Sequence, residues 1–380
     1  VPAEVILEKA REHAVDVIGL SGLLVKSAIV MKESLPQYRD AGLSIPILLG
    51  GAALTGKFVA TECVPGYGGP VVYCADAFAG LSALRDLEAG TLRSTTWSPP
   101  ADRVAAPGPK EAQILRDVPV PAPPFLGVRH VTGIDPALLF PYVNEQALFR
   151  GRWGYRRGKM EAEEYRKLVE ETVRPLYESM KHRCTAEGLI RPGVAYGYFR
   201  CHSEGEVLVV HHEGTAYRFP FPRQSEPPHL CIADYFRTEG EGGDLVSFFV
   251  ATVGDRVGEA TRELFSTDRY HDYLMLHALS VELTDALAEY WHERMREEMG
   301  IGERRPEDPG GYGYVVQEYR GSRYGFGYPA CPDLSAHREV FALLRPEKIG
   351  VTLTESMEMV PEQTTSAIVA HHPQAKYFSV

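Results

Sequence analysis

A doubly wound parallel α/β sheet followed by a mixed α+β half is the fold class that this sequence of 380 residues predicts. Three observations carry it. Over residues 1–92, short apolar runs ending in small residues alternate with stretches of helical periodicity. Residues 93–122 are crowded with proline, serine and threonine and lack apolar periodicity, which marks a semi-extended linker. Over residues 123–380, strand-like and helix-like segments come in blocks, as in an α+β domain.

Residues 5–14 place apolar side chains at helical spacing, and the run VDVIGL (15–20) reads as a buried strand that stops at Ser21 and Gly22. The unit then repeats. A helix is expected over 28–38, a turn at Asp40, Ala41 and Gly42, and a strand over IPILL (45–49) that stops at Gly50 and Gly51. The third strand, VVYC (71–74), is followed by a helix over 79–87. Parallel neighbours need crossovers long enough to hold a helix, so this alternation implies a parallel sheet. Ligands of such sheets lie beyond the carboxyl ends of the strands, where these small residues fall, although glycines there also serve simply to make tight turns. In the second half, a helix is expected over 161–182, a hairpin over 193–200 and 206–211 around Gly205, and strands over 217–221 and 245–252. Helices over 270–299 and 335–344 complete the pattern.

Hydrophobic residues at 44 % and charged residues at 24 % are ordinary for a packed, water-soluble protein. Forty Lys and Arg against 51 Asp and Glu leave a net charge of −11, which argues against nucleic acid as a partner. No apolar run approaches the roughly 18 residues of a membrane span, and no signal-peptide pattern opens the chain, so the expected location is cytoplasmic without membrane contact. Six cysteines without a CxxC pair are expected to be reduced and buried. Phosphate-binding loops, GxSxG and HExxH are absent from the sequence.

The segment most suggestive of chemistry is YRGSRYGFGYPACP (319–332), whose glycines and prolines are expected to exclude regular secondary structure. Such a loop brings its backbone close to a ligand, and Arg323 can grip a carboxylate with two parallel hydrogen bonds. An amino-acid-like ligand fits; so does a glycine-rich turn with a surface arginine. The terminal HPQAKYFSV can supply an aromatic wall. His211 with His212, and His371 with His372, are adjacent pairs with diverging side chains and are poor metal ligands. Asp234, after an apolar stretch, reads as a structural hydrogen-bond acceptor.

At the level of whole motifs, VPAEVILEKAREHAVDVIGLSGLL, IPILLGGAALTGKF and GPVVYCADAFAG resemble the Rossmann-like cobalamin-binding domain of the cobalamin-dependent methionine synthase family. HLCIADYF, ALAEYWHERMREE, YRGSRYGFGYPACPDLSAHREVFALL, LTESMEM and HHPQAKYFSV resemble that family's C-terminal activation domain. The resemblance implies residues 1–92 as the cobalamin domain, 93–122 as the linker and 123–380 as the activation domain. It implies methyl transfer from methyltetrahydrofolate to homocysteine through cobalamin (methylcobalamin), a step of methionine biosynthesis. It further implies reductive repair of cob(II)alamin with S-adenosylmethionine and an electron from a flavodoxin-type donor. Folate, homocysteine and cap modules of the same enzyme are the implied partners, and zinc belongs to the homocysteine module. By resemblance Ser21, Val25, Ser27, Gly50, Gly51 and Ala77 lie at cobalamin. Asn144, Asp285, Gln317, Arg323, Tyr328, Ala330, Cys331, Tyr377 and Phe378 lie at S-adenosylmethionine.

Two departures from the family pattern stand out. Asn144 replaces an aspartate that meets the ligand's amino group, with Asp285 or Gln317 as possible compensation. The family's DxHxxG, whose histidine ligates cobalt, is absent from the sequence, so no metal ligand is assigned. The chain is expected to begin after the first strand of its cobalamin sheet, Ser27 to lack the aspartate it would bond, Val25 only to pack, and cobalamin binding to be weak or absent. Without the other modules the chain is not expected to make methionine alone. The alternatives are a non-enzymatic corrinoid or S-adenosylmethionine carrier or sensor, and a reactivation protein acting in trans.

Overall fold

The computed structural model describes residues 2–22, 25–51, 54–75, 77–96, 114–158, 160–224, 227–302, 319–355 and 357–378. The chain divides into two units, Val1–Pro109 and Lys110–Val380.

In the first unit helix α1 (Ala3–Glu12) leads into strand β1 (Ile18–Ser21), and helix α2 (Val25–Asp40) into β2 (Ile47–Gly50). A short helix α3 (Gly56–Phe58) and the turns after it lead to β3 (Val71–Cys74), followed by α4 (Ala77–Glu88). The strands are parallel and in step, with Ile18 beside Ile47 and Ile47 beside Val71. Fully buried Leu35, Ile47, Leu49, Val59 and Val71 form the core between sheet and helices, as the apolar runs require. Three parallel strands are the described part of the expected doubly wound sheet. The described strands run in the order β1-β2-β3, so each crossover steps the same way and no reversal of winding occurs among them.

Both described ends of the proline-rich stretch 93–122 are tied to the unit they adjoin. The Val71 N–H donates to Ser94 Oγ at 3.1 Å and the Tyr73 N–H to Thr95 Oγ1 at 2.7 Å, so these side chains satisfy the otherwise open edge of β3. At the other end the Arg237 guanidinium donates to Val118 O at 2.6 Å. The proline-dense centre, 97–113, lies outside the described residues.

The second unit is built on one antiparallel sheet of order β7-β6-β5-β8-β12-β9, with β4 also on β5. Strand β4 is Gly127–Thr132, β5 Gly193–Glu204, β6 Val207–His212, β7 Thr215–Pro220 and β8 Asp244–Thr252. Strand β9 is Ser322–Gly325, and β12 is Thr364–Ala370. A separate small ribbon joins β10 (Thr352–Leu353) to β11 (Met359–Val360). Central β5 bonds β8 along one side, and on the other meets β4 with its first half and β6 with its second.

Alternate residues of β5 enter two cores, as a pleated strand between two layers must. Val194, Tyr196 and Tyr198 face the core that holds helices α6 (Arg174–Ala186), α7 (Arg256–Ser266) and α8 (Tyr270–Glu298). Ala195, Phe199 and Cys201 face the core that holds α9 (His337–Leu344) and Phe378. Helix α5 (Ala162–Leu168) precedes α6 through a single π-turn. Gly197 is required here. A Cβ on it would lie 2.4 Å from Gly127 O and 2.8 Å from the Phe199 ring. Gly197→Ala is therefore expected to cost about 1–3 kcal/mol, the usual range for overpacking, read as a lower urea midpoint; an unchanged midpoint would refute the fit.

Strands and helices expected from periodicity are found with ends shifted by a few residues, while β4, β12 and α7 are additional. The expectation that 319–332 excludes regular structure is overturned: Ser322–Gly325 pairs with β12, Arg323 opposite Val369. Gly321 and Gly327, at φ +86° and +85°, turn the chain on either side, and the intervening residues are free to extend. All six cysteines are buried and free. Among the described residues no helix is long and apolar enough to cross a membrane.

Candidate functional site

Strand β9 and the turn after it place Arg323 and Tyr328 above helix α8. The turn is held by its own backbone: Cys331 N–H donates to Tyr328 O and Gly327 N–H to Cys331 O, both at 2.8 Å. The Tyr328 ring lies close over Gly325, where a Cβ would sit 2.8 Å from it. Ala330 and Cys331 are buried, and burial pushes the Cys331 thiol well up. The backbone groups of Cys331 thus serve the turn. In the terminal segment Tyr324 Oη donates to Lys376 O at 3.0 Å, and Phe378 packs on the Tyr324 ring, leaving its neighbour Tyr377 42 % exposed.

Acidic residues of α8 meet arginines from other elements. Arg152 donates to Glu282 at 2.8 Å and to Asp285 at 3.1 Å, and one turn further Glu289 accepts from Arg323 Nη1. The Asp285 side chain is 45 % exposed, yet burial raises its pKa against the opposing pull of Arg152 and Arg323. Burial, then Asp285, pushes the Tyr328 hydroxyl up to about 12, with Arg323 opposing and Tyr377 adding to the rise, so these four side chains share one electrostatic environment. Tyr319 beside them is likewise pushed up to about 12, first by burial and then by Glu289.

Asn144 joins the same neighbourhood from another element. Its Oδ1 accepts from the Ala147 N–H at 3.0 Å, opening the helical turn Ala147–Arg152, and its backbone bonds Glu282. Amide and carboxylate cap a helix equally well, so Asn144 keeps this structural task without a charge. Gln317 lies outside the described residues. Periodicity did not single out Arg152, Glu282 and Glu289. The available signal was the +3 and +4 spacing of Glu282, Asp285, Glu289, Glu293 and Arg296, one face of a helix, which ordinarily reads as a solvated stripe.

In the first unit, Ser21, Gly50 and Gly51 gather at the carboxyl ends of β1 and β2, and Val25 and Ala77 open the helices after β1 and β3. Gly22 N–H donates to Gly50 O at 3.1 Å, a Cβ on Gly51 would fall 1.9 Å from Gly22 O, and one on Gly22 would fall 2.3 Å from Ser27 Cβ. Close approach of chain to chain already accounts for these two glycines. Three of the four adjacent histidines, and Asp234, make structural hydrogen bonds. His211 bonds His202 at 3.1 Å, His371 bonds Asp244 at 2.7 Å, His372 bonds Leu115 O at 2.9 Å, and Asp234 takes a two-point contact from Arg223 at 2.7 and 2.9 Å. No group of three or more His, Cys, Asp or Glu side chains among the described residues could hold a metal ion.

Residues 139–380 match the family described as the activation domain of vitamin B12-dependent methionine synthase. The chain belongs to this family. The activation-domain match contains Asn144, Asp285, Arg323, Tyr328 and Tyr377 and ends before none of them; the first unit lies outside it. Relatives extend over the whole chain. It is 40 % identical over 426 aligned residues to the methionine synthase of Mycobacterium tuberculosis (strain ATCC 25618 / H37Rv) and 39 % over 429 to that of Mycobacterium leprae (strain TN). Each alignment takes in 100 % of this chain but 36 % of the relative, so the chain spans about a third of their length. In fold it is similar to a crystal structure of the MetH reactivation domain bound to AdoHcy, with a TM-score of 0.61 and 24 % identity over 68 % of this chain and 83 % of that one.

Proposed function

We propose that this chain is the part of a methionine synthase that holds the corrinoid and remethylates it with S-adenosylmethionine when its cobalt has been oxidised. The observation that carries this reading is that the Arg323 guanidinium on β9 and the half-exposed Asp285 carboxyl on α8 lie close enough for each to act on the other's charge. A cation and an anion a few residues apart suit the zwitterionic head of an amino acid, one taking the carboxylate and the other the ammonium. Tyr328 and Tyr377 add aromatic surface that suits a sulfonium and a flat base. Membership of the activation-domain family supports the same ligand.

Cobalamin supplies, when bound, a cobalt that carries the methyl group. Ser21, Ser27, Gly50, Gly51 and the starts of α2 and α4 would hold its tail at the carboxyl end of the small sheet. His13 is the sole histidine of residues 1–109 and belongs to the far end of α1, so none of these residues is assigned to the cobalt. The electron for remethylation comes from a flavodoxin-type donor, and the folate and homocysteine chemistry belongs to other modules of the same enzyme. Calorimetric titration of S-adenosylmethionine into the 380-residue chain tests the reading. Saturable one-site binding is expected; no heat from a chain whose circular dichroism is that of a folded α/β protein would overturn it.

A further inference from the structure

Arg323 is held from below by a residue that the ligand reading does not need. Glu289 Oε2 accepts from Arg323 Nη1, and this is the one hydrogen bond the Arg323 side chain makes among the described residues. Among the described residues its Nε and Nη2, the edge that matches the two oxygens of a carboxylate, donate to no acceptor, and the side chain keeps 25 % of its surface. Glu289 is itself 11 % exposed, and the Tyr319 hydroxyl is its other hydrogen-bonding neighbour. Asp285 and Glu289 lie four residues apart on α8, which puts both on one face. One helix face thus supplies both the half-exposed Asp285 and the acid that grips the arginine.

We infer that Glu289 is the positioning residue for recognition of the ligand's carboxylate: it anchors one arm of Arg323 by Nη1 and leaves the Nε and Nη2 edge to the ligand. This rests on the S-adenosylmethionine reading and deepens it. An unanchored guanidinium on a flexible stem would lose rotamer freedom on binding, and the ion pair removes that loss beforehand. The opposite role, a competitor that occupies Arg323 and must be displaced, predicts tighter binding once the acid is removed.

The test is titration of the full chain and its Glu289→Gln variant with two probes that differ by one group, S-adenosylmethionine and its decarboxylated analogue. Glu289→Gln is expected to weaken S-adenosylmethionine by about five- to twentyfold, and the analogue by less than about twofold, as for loss of one preorganising contact. In an Arg323→Ala background the same change is expected to have no further effect. Unchanged or tighter S-adenosylmethionine binding by Glu289→Gln would overturn the inference, and so would equal losses for both probes, the mark of a purely structural prop. Failure of the unaltered chain to bind S-adenosylmethionine would instead overturn the ligand reading itself. Matching thermal melts of the variants keep these outcomes separate from misfolding.

Discussion

Arg323→Ala is expected to weaken S-adenosylmethionine binding by about 10- to 100-fold, because a charge-assisted hydrogen bond is worth roughly 1.5–3 kcal/mol and each 1.4 kcal/mol is a factor of ten. The same change should also lower stability. It leaves Glu289, 11 % exposed, without its cation, and a carboxylate stranded in that position is costly. Arg323→Lys separates the two effects. Lysine restores a charge for Glu289 but lacks the planar fork, so stability should recover more fully than affinity. Calorimetry read beside thermal melts checks both, and affinity unaltered in Arg323→Ala would remove Arg323 from the ligand site.

Asp244→Ala is expected to lower the stability of the second unit by about 1–3 kcal/mol, the usual cost of leaving buried hydrogen-bonding groups without their partner. Asp244 and His371 have side chains only 3 % and 2 % exposed, with Oδ1 and Nε2 2.7 Å apart. The Leu245 N–H at 2.7 Å and the Arg237 N–H at 2.9 Å complete the carboxylate's partners. The pair joins the start of β8 to the residue after β12, where the chain sets out toward Tyr377. Burial alone would raise the Asp244 pKa, but the His371 contact and the backbone N–H groups outweigh it and hold the carboxyl below its usual range. A folded-state pKa below the unfolded value of about 3.9 contributes stability that is present above that pH and lost as pH falls through the folded value. The urea midpoint of the unaltered chain should therefore fall more steeply below about pH 4 than that of Asp244→Asn. Parallel pH profiles would refute the assignment.

Much of the first unit is legible in the sequence because its signal is local. A run such as IPILL between glycines and helical patterns has few other uses, and VVYC coincides with β3 residue for residue. The order of its strands is not local, and the steady β1-β2-β3 progression came only from pairing. In the second unit, the concentration of glycine, tyrosine, proline and arginine in 319–332 marks a special segment, but it misleads about regular structure. Bonding to β12 compensates a short extended stretch that composition alone would leave irregular.

By itself the sequence determined that Arg323, Tyr328 and Tyr377 belong to segments unlike ordinary core or surface, since side-chain chemistry and glycine content are properties of the residues themselves. Only the tertiary structure decided that α8 meets them, with Glu289 bonded to Arg323 and Asp285 acting on the charge of Arg323 and Tyr328. A polar stripe at helical spacing looks the same in the sequence whether it meets water or a buried arginine. The difference is what other elements pack against it, and that is fixed by contacts between residues far apart in the chain.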